Sequence, residues 1–303
     1  MNTTRPCGCK SFRTCKVCEQ ELGLEQKEQE EVLDNREVWK YSLQTGRCCS
    51  DAGEERDFPG IMIIKEFITE EEEATLVADL DKLPWDASQS GRRKQNFGPR
   101  ANFKKRKAKV GQFAGFPTDT KFIQDRFKSV PILECYKTVE QCSIEYRPET
   151  GAAIEPHIDD CWIWGERIVQ LNLLSDTVLT INPYVEGEKY KYNLRDVQAY
   201  PKVVNEMGEV VFNPFVNKMS TKPFDFNDVS FKDTTSVQLP LPRRSLLVMW
   251  GPARYQWEHS VRRADIRERR VVVAYRELTP PYLPGGEEQE VGAAILEQAQ
   301  NWW

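Results

Sequence analysis

The chain has 303 residues, 40% of them apolar and 29% charged, which is enough to bury one large core or two small ones. Its net charge of −5 excludes the strongly basic balance of a protein that coats nucleic acid without regard to sequence. No apolar run is long enough to span a bilayer, the first residues are not a signal peptide, and nine cysteines cannot all pair, so a cytoplasmic and nuclear protein with free thiols and no membrane attachment is expected.

Residues 1–20 hold the first motif. Cys7, Cys9, Cys15 and Cys18 follow C-x-C-x5-C-x2-C, and four thiolates this close can close a tetrahedral structural zinc site, a Cys-rich knuckle; a tail of free thiols is the competing reading. Residues 21–57 read as a polar linker, rich in Glu and Gln up to Glu37, with Cys48 and Cys49 in a loop of no assigned role. A folded domain is expected from residue 58. Residues 61–67 make a short apolar strand, residues 69–72 (Thr-Glu-Glu-Glu) a capping box, and Leu76, Leu80 and Leu83 one face of a helix that Pro84 stops. Residues 92–109 then carry nine basic residues and no acidic one, with Phe97 and Phe103 among them. Such a stretch suits phosphates and bases, but an acidic protein surface would meet it equally well, so the partner class stays open here.

From residue 138 core strands are expected. Residues 140–146 alternate and end in Tyr146, then Pro148 and Gly151 turn the chain toward His157. The molecule has two histidines. In an extended strand His157 and Asp159 project to one side, and His259 would complete two imidazoles and one carboxylate on one face of an octahedron, the facial triad of non-haem Fe(II) oxygenases. Asp160 would point away. Trp162 and Trp164 form an aromatic rim that lines a substrate pocket or belongs to the core. Residues 175–237 read as a hairpin-rich insertion, and residues 245–250 as a fully apolar strand fit for a jelly-roll interior. Past His259, residues 270–276 alternate strictly: Arg270, Val272, Ala274 and Arg276 share one face, with Val271, Val273 and Tyr275 on the other. A guanidinium grips a carboxylate bidentately, and an iron oxygenase needs a dicarboxylate cosubstrate beside its metal. Residues 279–303 read as a terminal helix and tail ending in paired tryptophans.

The ordered set H-x-D, a distant His and R-x5-R resembles the AlkB family of Fe(II)/2-oxoglutarate-dependent dioxygenases, over roughly residues 58–278. Cys-Gly-Cys-Lys with Thr-Cys-Lys-Val-Cys-Glu, the Ser-Gly-Arg-Arg-Lys-Gln loop, and Pro-His-Ile-Asp-Asp with Trp-Gly-Glu-Arg resemble one branch of it found in animals. The resemblance implies a mainly β fold with flanking helices, a double-stranded β-helix or distorted jelly roll, behind the N-terminal knuckle. It implies Fe(II), 2-oxoglutarate and O2. Arg270 would pair the distal carboxylate, Arg276 would orient groups near the iron, and Tyr146 would contact the cosubstrate, with Ile144 standing where the family has an asparagine. Residues 90–99 resemble the substrate lid, which places Arg92, Arg93, Gln95 and Phe97 with Trp162 and Trp164 around the substrate. The branch implies an oxidative N-demethylase for monomethyl-lysine of a protein such as actin, with actomyosin components as partners, releasing formaldehyde, succinate and CO2; the oligomeric state is not read from the sequence, a monomer being the expectation. N6-methyladenine in DNA or RNA is the alternative substrate. A non-enzymatic, metal-held interaction module is the rival of another class, and for it R-x5-R would have no ligand.

Overall fold

The computed structural model describes residues 7–9, 14–23, 36–184, 192, 194, 201–218, 231 and 234–303. After the cysteine cluster comes a short helix, α1 (Lys16–Leu22), then three strands, β1 (Glu37–Tyr41), β2 (Arg47–Ser50) and β3 (Glu55–Asp57). Next come β4 (Ile61–Ile64), α2 (Glu70–Lys82), β5 (Asp86–Ala87), β6 (Arg93–Phe97) and a hairpin of β7 (Arg100–Asn102) with β8 (Lys107–Lys109). Helix α3 (Lys121–Arg126) leads to β9 (Glu140–Tyr146), β10 (Ile154–His157), β11 (Trp164–Leu173) and β12 (Thr177–Pro183). A small hairpin, β13 (Lys202–Val204) and β14 (Val210–Phe212), and α4 (Pro214–Lys218) precede β15 (Thr235–Leu241) and β16 (Leu246–Met249). Helix α5 (Gly251–Tyr255), β17 (Trp257–Val261), β18 (Arg270–Leu278) and α6 (Gln289–Gln298) complete the chain.

Two seven-stranded sheets face each other, in the orders β10-β17-β12-β15-β1-β2-β3 and β4-β16-β11-β18-β9-β6-β5. Four of the eight core strands, β9, β18, β11 and β16, are antiparallel neighbours in one sheet; β10, β17, β12 and β15 are antiparallel neighbours in the other. The chain crosses between the sheets at almost every core connection, which makes the double-stranded β-helix. Alternation along β18 sets the layers. Val271, Val273 and Tyr275 turn outward and pack with Leu76 and Leu80 of α2 and Ile123 of α3. Val272 turns inward to the cluster holding Leu179, Ile181, Val237 and Leu239 of the opposite sheet. Each such leucine contributes about 2 kcal/mol. The capping box forms as expected: Thr69 Oγ1 accepts from the Glu72 N–H at 3.1 Å, and Glu72 Oε2 accepts from the Thr69 N–H at 2.8 Å.

Two expectations on organisation are corrected. Residues 36–57, read as linker, build the edge of a sheet instead, β1 pairing in parallel with core strand β15. Trp39 and Tyr41 are buried on alternate positions of a five-residue strand whose exposed Glu37 and Lys40 give it a polar average. The stretch read as an insertion from residue 175 begins with a core strand, since β12 lies between β17 and β15. Of the remainder, the β13–β14 hairpin and α4 are described, and Phe231 packs against Trp39, Phe58 and Trp257. Residues 24–35 of the linker and residues 185–191, 193, 195–200, 219–230, 232 and 233 of the insertion lie outside the described residues.

One ion-pair network ties α2, β6, β9 and the start of β18 together. Glu145 on β9 is 1% exposed and accepts from Arg93, Arg147 and Arg269, while Arg269 also donates twice to Asp81 of α2. Burial alone would raise the Glu145 carboxyl, but the three arginines outweigh it and hold it down at about 2. A carboxyl depressed on folding contributes stability above its unfolded value, about 4.3, and that contribution is lost as pH falls toward 2. Glu145→Gln should therefore lower stability at pH 7 by about 2 kcal/mol, the three arginines being partly exposed and able to rehydrate. Chemical denaturation from pH 7 to 2.5 checks this: the gap between wild type and variant should narrow below about pH 4.5.

Candidate active site

The register of β10 against β17 sets His157 directly opposite His259, and the ring centroids stand 4.3 Å apart. Strand β10 ends at His157, and Asp159 follows two residues on, outside the strand. His157 Nε2 is 3.9 Å from Asp159 Oδ1, and one ligand atom from each of the three residues lies within 4.8 Å of the others. The Glu155 carbonyl can only accept, so the 2.8 Å bond to His157 Nδ1 fixes the proton there and leaves Nε2 with a free lone pair. Burial, with the neighbouring His157, pushes His259 down to about 3, so the imidazoles are in the neutral form that a metal requires. Burial would raise the Asp159 carboxyl, but Arg276 first, then His259 and His157, hold it well below the usual carboxylate range.

Arg276 comes from β18 in the facing sheet. Its Nε donates to Asp159 Oδ2 at 3.2 Å and its Nη2 to Oδ1 at 3.1 Å, a bidentate grip, while Nη1 donates to Glu140 at 2.6 Å. Its fork is thus spent on Asp159 and Glu140, which aims the Asp159 carboxylate. A second guanidinium, missed in the sequence, serves the same turn: Arg254, 2% exposed, donates to the backbone carbonyls of Asp159, Trp164 and Gly165. The one available signal was an arginine in the otherwise apolar Gly-Pro-Ala-Arg-Tyr segment.

Arg270, at the other end of the same face of β18, is 1% exposed. Its Nε donates to Asn172 Oδ1 at 2.7 Å, and Asn172 is held in turn by donating its amide to the carbonyls of Ser175, Leu241 and Pro242. Among the described residues, neither terminal nitrogen of Arg270 has a hydrogen-bond partner. Tyr146 is its register partner on β9, with the guanidinium carbon 5.0 Å from the ring centre. A buried guanidinium with two idle donors is costly unless an anion completes it, and the carboxylate end of 2-oxoglutarate is such an anion. Asn172 was also not singled out in the sequence; an asparagine in a buried apolar strand was its only mark.

Around the mouth, the expected lid residues divide. Arg92 is buried, and burial of the ring lowers His157, with the Arg92 charge adding a smaller push in the same direction. Arg93 and Gln95 point the other way on β6, Arg93 to Glu145 and Gln95 Nε2 to the Leu80 and Leu83 carbonyls at the end of α2, so both are scaffold. Phe97 stacks edge-on against Trp303. The cover over the interior is the β7–β8 hairpin, which packs Ala101, Ala108 and Val110 onto the inner core and rests Phe103 on Trp162 with ring centroids 6.0 Å apart. Its outer side exposes Lys104, Lys105, Arg106, Lys107 and Lys109. Trp162 and Trp164 are both buried; Trp162 donates to Asp160 at 3.1 Å and Trp164 lies against the Arg276 guanidinium.

An oxygenase that splits a dicarboxylate at iron needs a place for the metal and one for the far end of that dicarboxylate, and the interior of this β-helix offers His157, Asp159 and His259 for the first and Arg270 for the second. The class so defined is the Fe(II)/2-oxoglutarate-dependent dioxygenases. No protein-family model matches the chain. It is 40% identical over 310 residues to alpha-ketoglutarate-dependent dioxygenase alkB homolog 4 of Homo sapiens, spanning 98% of this chain and 94% of that protein. The Mus musculus alkB homolog 4 is 38% identical with the same coverage, and a DNA N6-methyl adenine demethylase of Caenorhabditis elegans is 27% identical over 97% of this chain and 94% of its own length. Among solved structures, that of OsALKBH1 covers 73% of this chain and 100% of that chain at 11% identity, with a TM-score of 0.43. The chain belongs to the alkB homolog 4 family.

His157→Ala, Asp159→Ala and His259→Ala should each abolish conversion of 2-oxoglutarate to succinate, because two remaining ligands grip iron weakly. Arg276→Gln, which leaves all three ligands in place, should weaken metal binding by about tenfold. Succinate formation and Mn(II) titration followed by EPR measure both, and normal turnover by Asp159→Ala would contradict the triad.

Proposed function

We propose that this chain is an oxidative N-demethylase acting on monomethyl-lysine in a protein, actin and other actomyosin components being the partners the reading favours. The cosubstrate half of the reading rests on the idle terminal nitrogens of Arg270 facing into the same interior as the three ligands. His157 Nε2, an Asp159 oxygen and His259 would hold Fe(II), and Arg270, beside Tyr146, the distal carboxylate of 2-oxoglutarate. Iron with 2-oxoglutarate and O2 supplies an oxidant that hydroxylates an N-methyl carbon, the hemiaminal then separating into free amine and formaldehyde while succinate and CO2 leave.

Substrate class is carried by one observation at the mouth. Exposed Asp160, one residue from a metal ligand, accepts from the indole N–H of Trp162, and Phe103 closes on that same indole. Carboxylate beside aromatic edges suits a methylammonium cation. It sits poorly with a nucleotide, whose phosphates it repels. The basic outer side of the β7–β8 hairpin suits an acidic protein such as actin. A second reading, N6-methyladenine in DNA, keeps the support of the Caenorhabditis elegans relative and of that same basic hairpin.

The test offers the full chain a monomethyl-lysine actin peptide, intact methylated actin and N6-methyladenine oligonucleotides in parallel, with formaldehyde measured against the Asp159→Ala protein. Turnover of the lysine substrates, reduced several-fold by Asp160→Asn, is expected. Turnover confined to the oligonucleotide would overturn the substrate assignment.

A further inference from the structure

Far from the iron ligands in sequence, the four N-terminal cysteines converge: one sulfur from each of Cys7, Cys9, Cys15 and Cys18 lies within 4.8 Å of the other three. Cys15 and Cys18 are fully buried and Cys7 and Cys9 partly so, and all four are free of disulfide bonds. Tetrahedral zinc at about 2.3 Å from each thiolate would set the sulfurs about 3.8 Å apart, a spacing these residues reach with small side-chain shifts. Three backbone N–H groups already point at the sulfurs: Cys9 at Cys7, Cys18 at Cys15 and Gly91 at Cys9, at 3.3 to 3.4 Å. Such bonds stabilise thiolates, and neutral thiols have little use for them.

The Gly91 bond ties the cluster to the catalytic domain. Gly91 approaches so closely that an added Cβ would stand 2.9 Å from Cys15 Cβ, and Gly151 likewise 2.8 Å from Lys16 Cβ. The Gly91 carbonyl accepts from Thr150 Oγ1 at 2.9 Å, and the Ser90 carbonyl from the Ala153 N–H at 3.3 Å. The next residue begins β10, which ends in His157. On the other side Glu19 of α1 takes two bonds from Arg263, at 2.7 and 2.6 Å, just past the end of the strand that carries His259. The knuckle therefore touches the entry to one histidine strand and the exit from the other.

We infer that Cys7, Cys9, Cys15 and Cys18 bind one structural zinc ion, and that the closed knuckle clamps the ends of the two strands that bear His157 and His259. Zinc holds the four sulfurs, the sulfurs hold Gly91 and α1, and these hold the register of the iron ligands. The second half rests on the iron reading of the triad; the zinc content does not.

Elemental analysis of the purified full-length protein should find one zinc per chain, retained in His259→Ala and reduced at least tenfold in Cys9→Ser. Titrating the wild-type protein with a mercurial thiol reagent in the presence of a chromogenic zinc chelator should release that zinc as four thiols react, a readout independent of how well any variant folds. Mn(II) binding at the triad, followed by EPR, should weaken about tenfold in Cys9→Ser and about threefold in Glu19→Ala, which keeps its zinc. Absence of zinc after reconstitution under reducing conditions, iron in its place, or equal zinc in Cys9→Ser would overturn the site. Loss of zinc with unchanged Mn(II) affinity would overturn the clamp.

Discussion

Two guanidinium groups on one face of β18 lie inside an apolar interior, and a buried cation has to meet an anion. Arg276 meets Asp159 and Glu140; among the described residues Arg270 meets the amide oxygen of Asn172 and the ring of Tyr146, and no carboxylate. An uncompensated buried charge costs several kcal/mol. The rest of the site follows from that asymmetry. The answered arginine fixes the orientation of Asp159, and the unanswered one leaves two donors that suit the carboxylate of a dicarboxylate. Both sit on the same strand because a period of two keeps alternate side chains on one face, while Val271, Val273 and Tyr275 anchor the other face under α2 and α3.

What could be read from the sequence is what local spacing encodes. His157-x-Asp159 and Arg270-x5-Arg276 carry their geometry within a few residues, and the capping box at Thr69 does the same for α2. The groups that escaped notice are those whose partners are distant in the chain. Asn172 serves Arg270 across 98 residues and Glu140 serves Arg276 across 136, and no periodicity links them. Strand β1 was hidden because Trp39 and Tyr41 alternate with charged neighbours over only five residues. Arg93 and Gln95 were misplaced for the opposite reason: a stretch rich in basic residues was given one role, although strand pleating sends its neighbours to different faces.

Rigidity and adaptability are distributed unevenly around the site. His157 and His259 come from paired strands and Asp159 from a segment held by Arg254 and Arg276, and this suits chemistry that tolerates little displacement. The mouth is a short hairpin with an apolar underside and a basic outer side, resting through Phe103 on Trp162. Changes in that hairpin can alter which methylated partner is admitted without touching the metal ligands.

The central claim, that Arg270 awaits the far carboxylate of 2-oxoglutarate, is tested most directly by thermal unfolding with inert Mn(II) in place of iron. A ligand that binds only the folded state raises the melting temperature by an amount that grows with the logarithm of its free concentration over its Kd. Adding 2-oxoglutarate should stabilise the wild-type protein, and the same concentration should give little or no shift in Arg270→Lys, which keeps the charge but loses the fork. An equal shift in both proteins, or none in the wild type, would contradict the account.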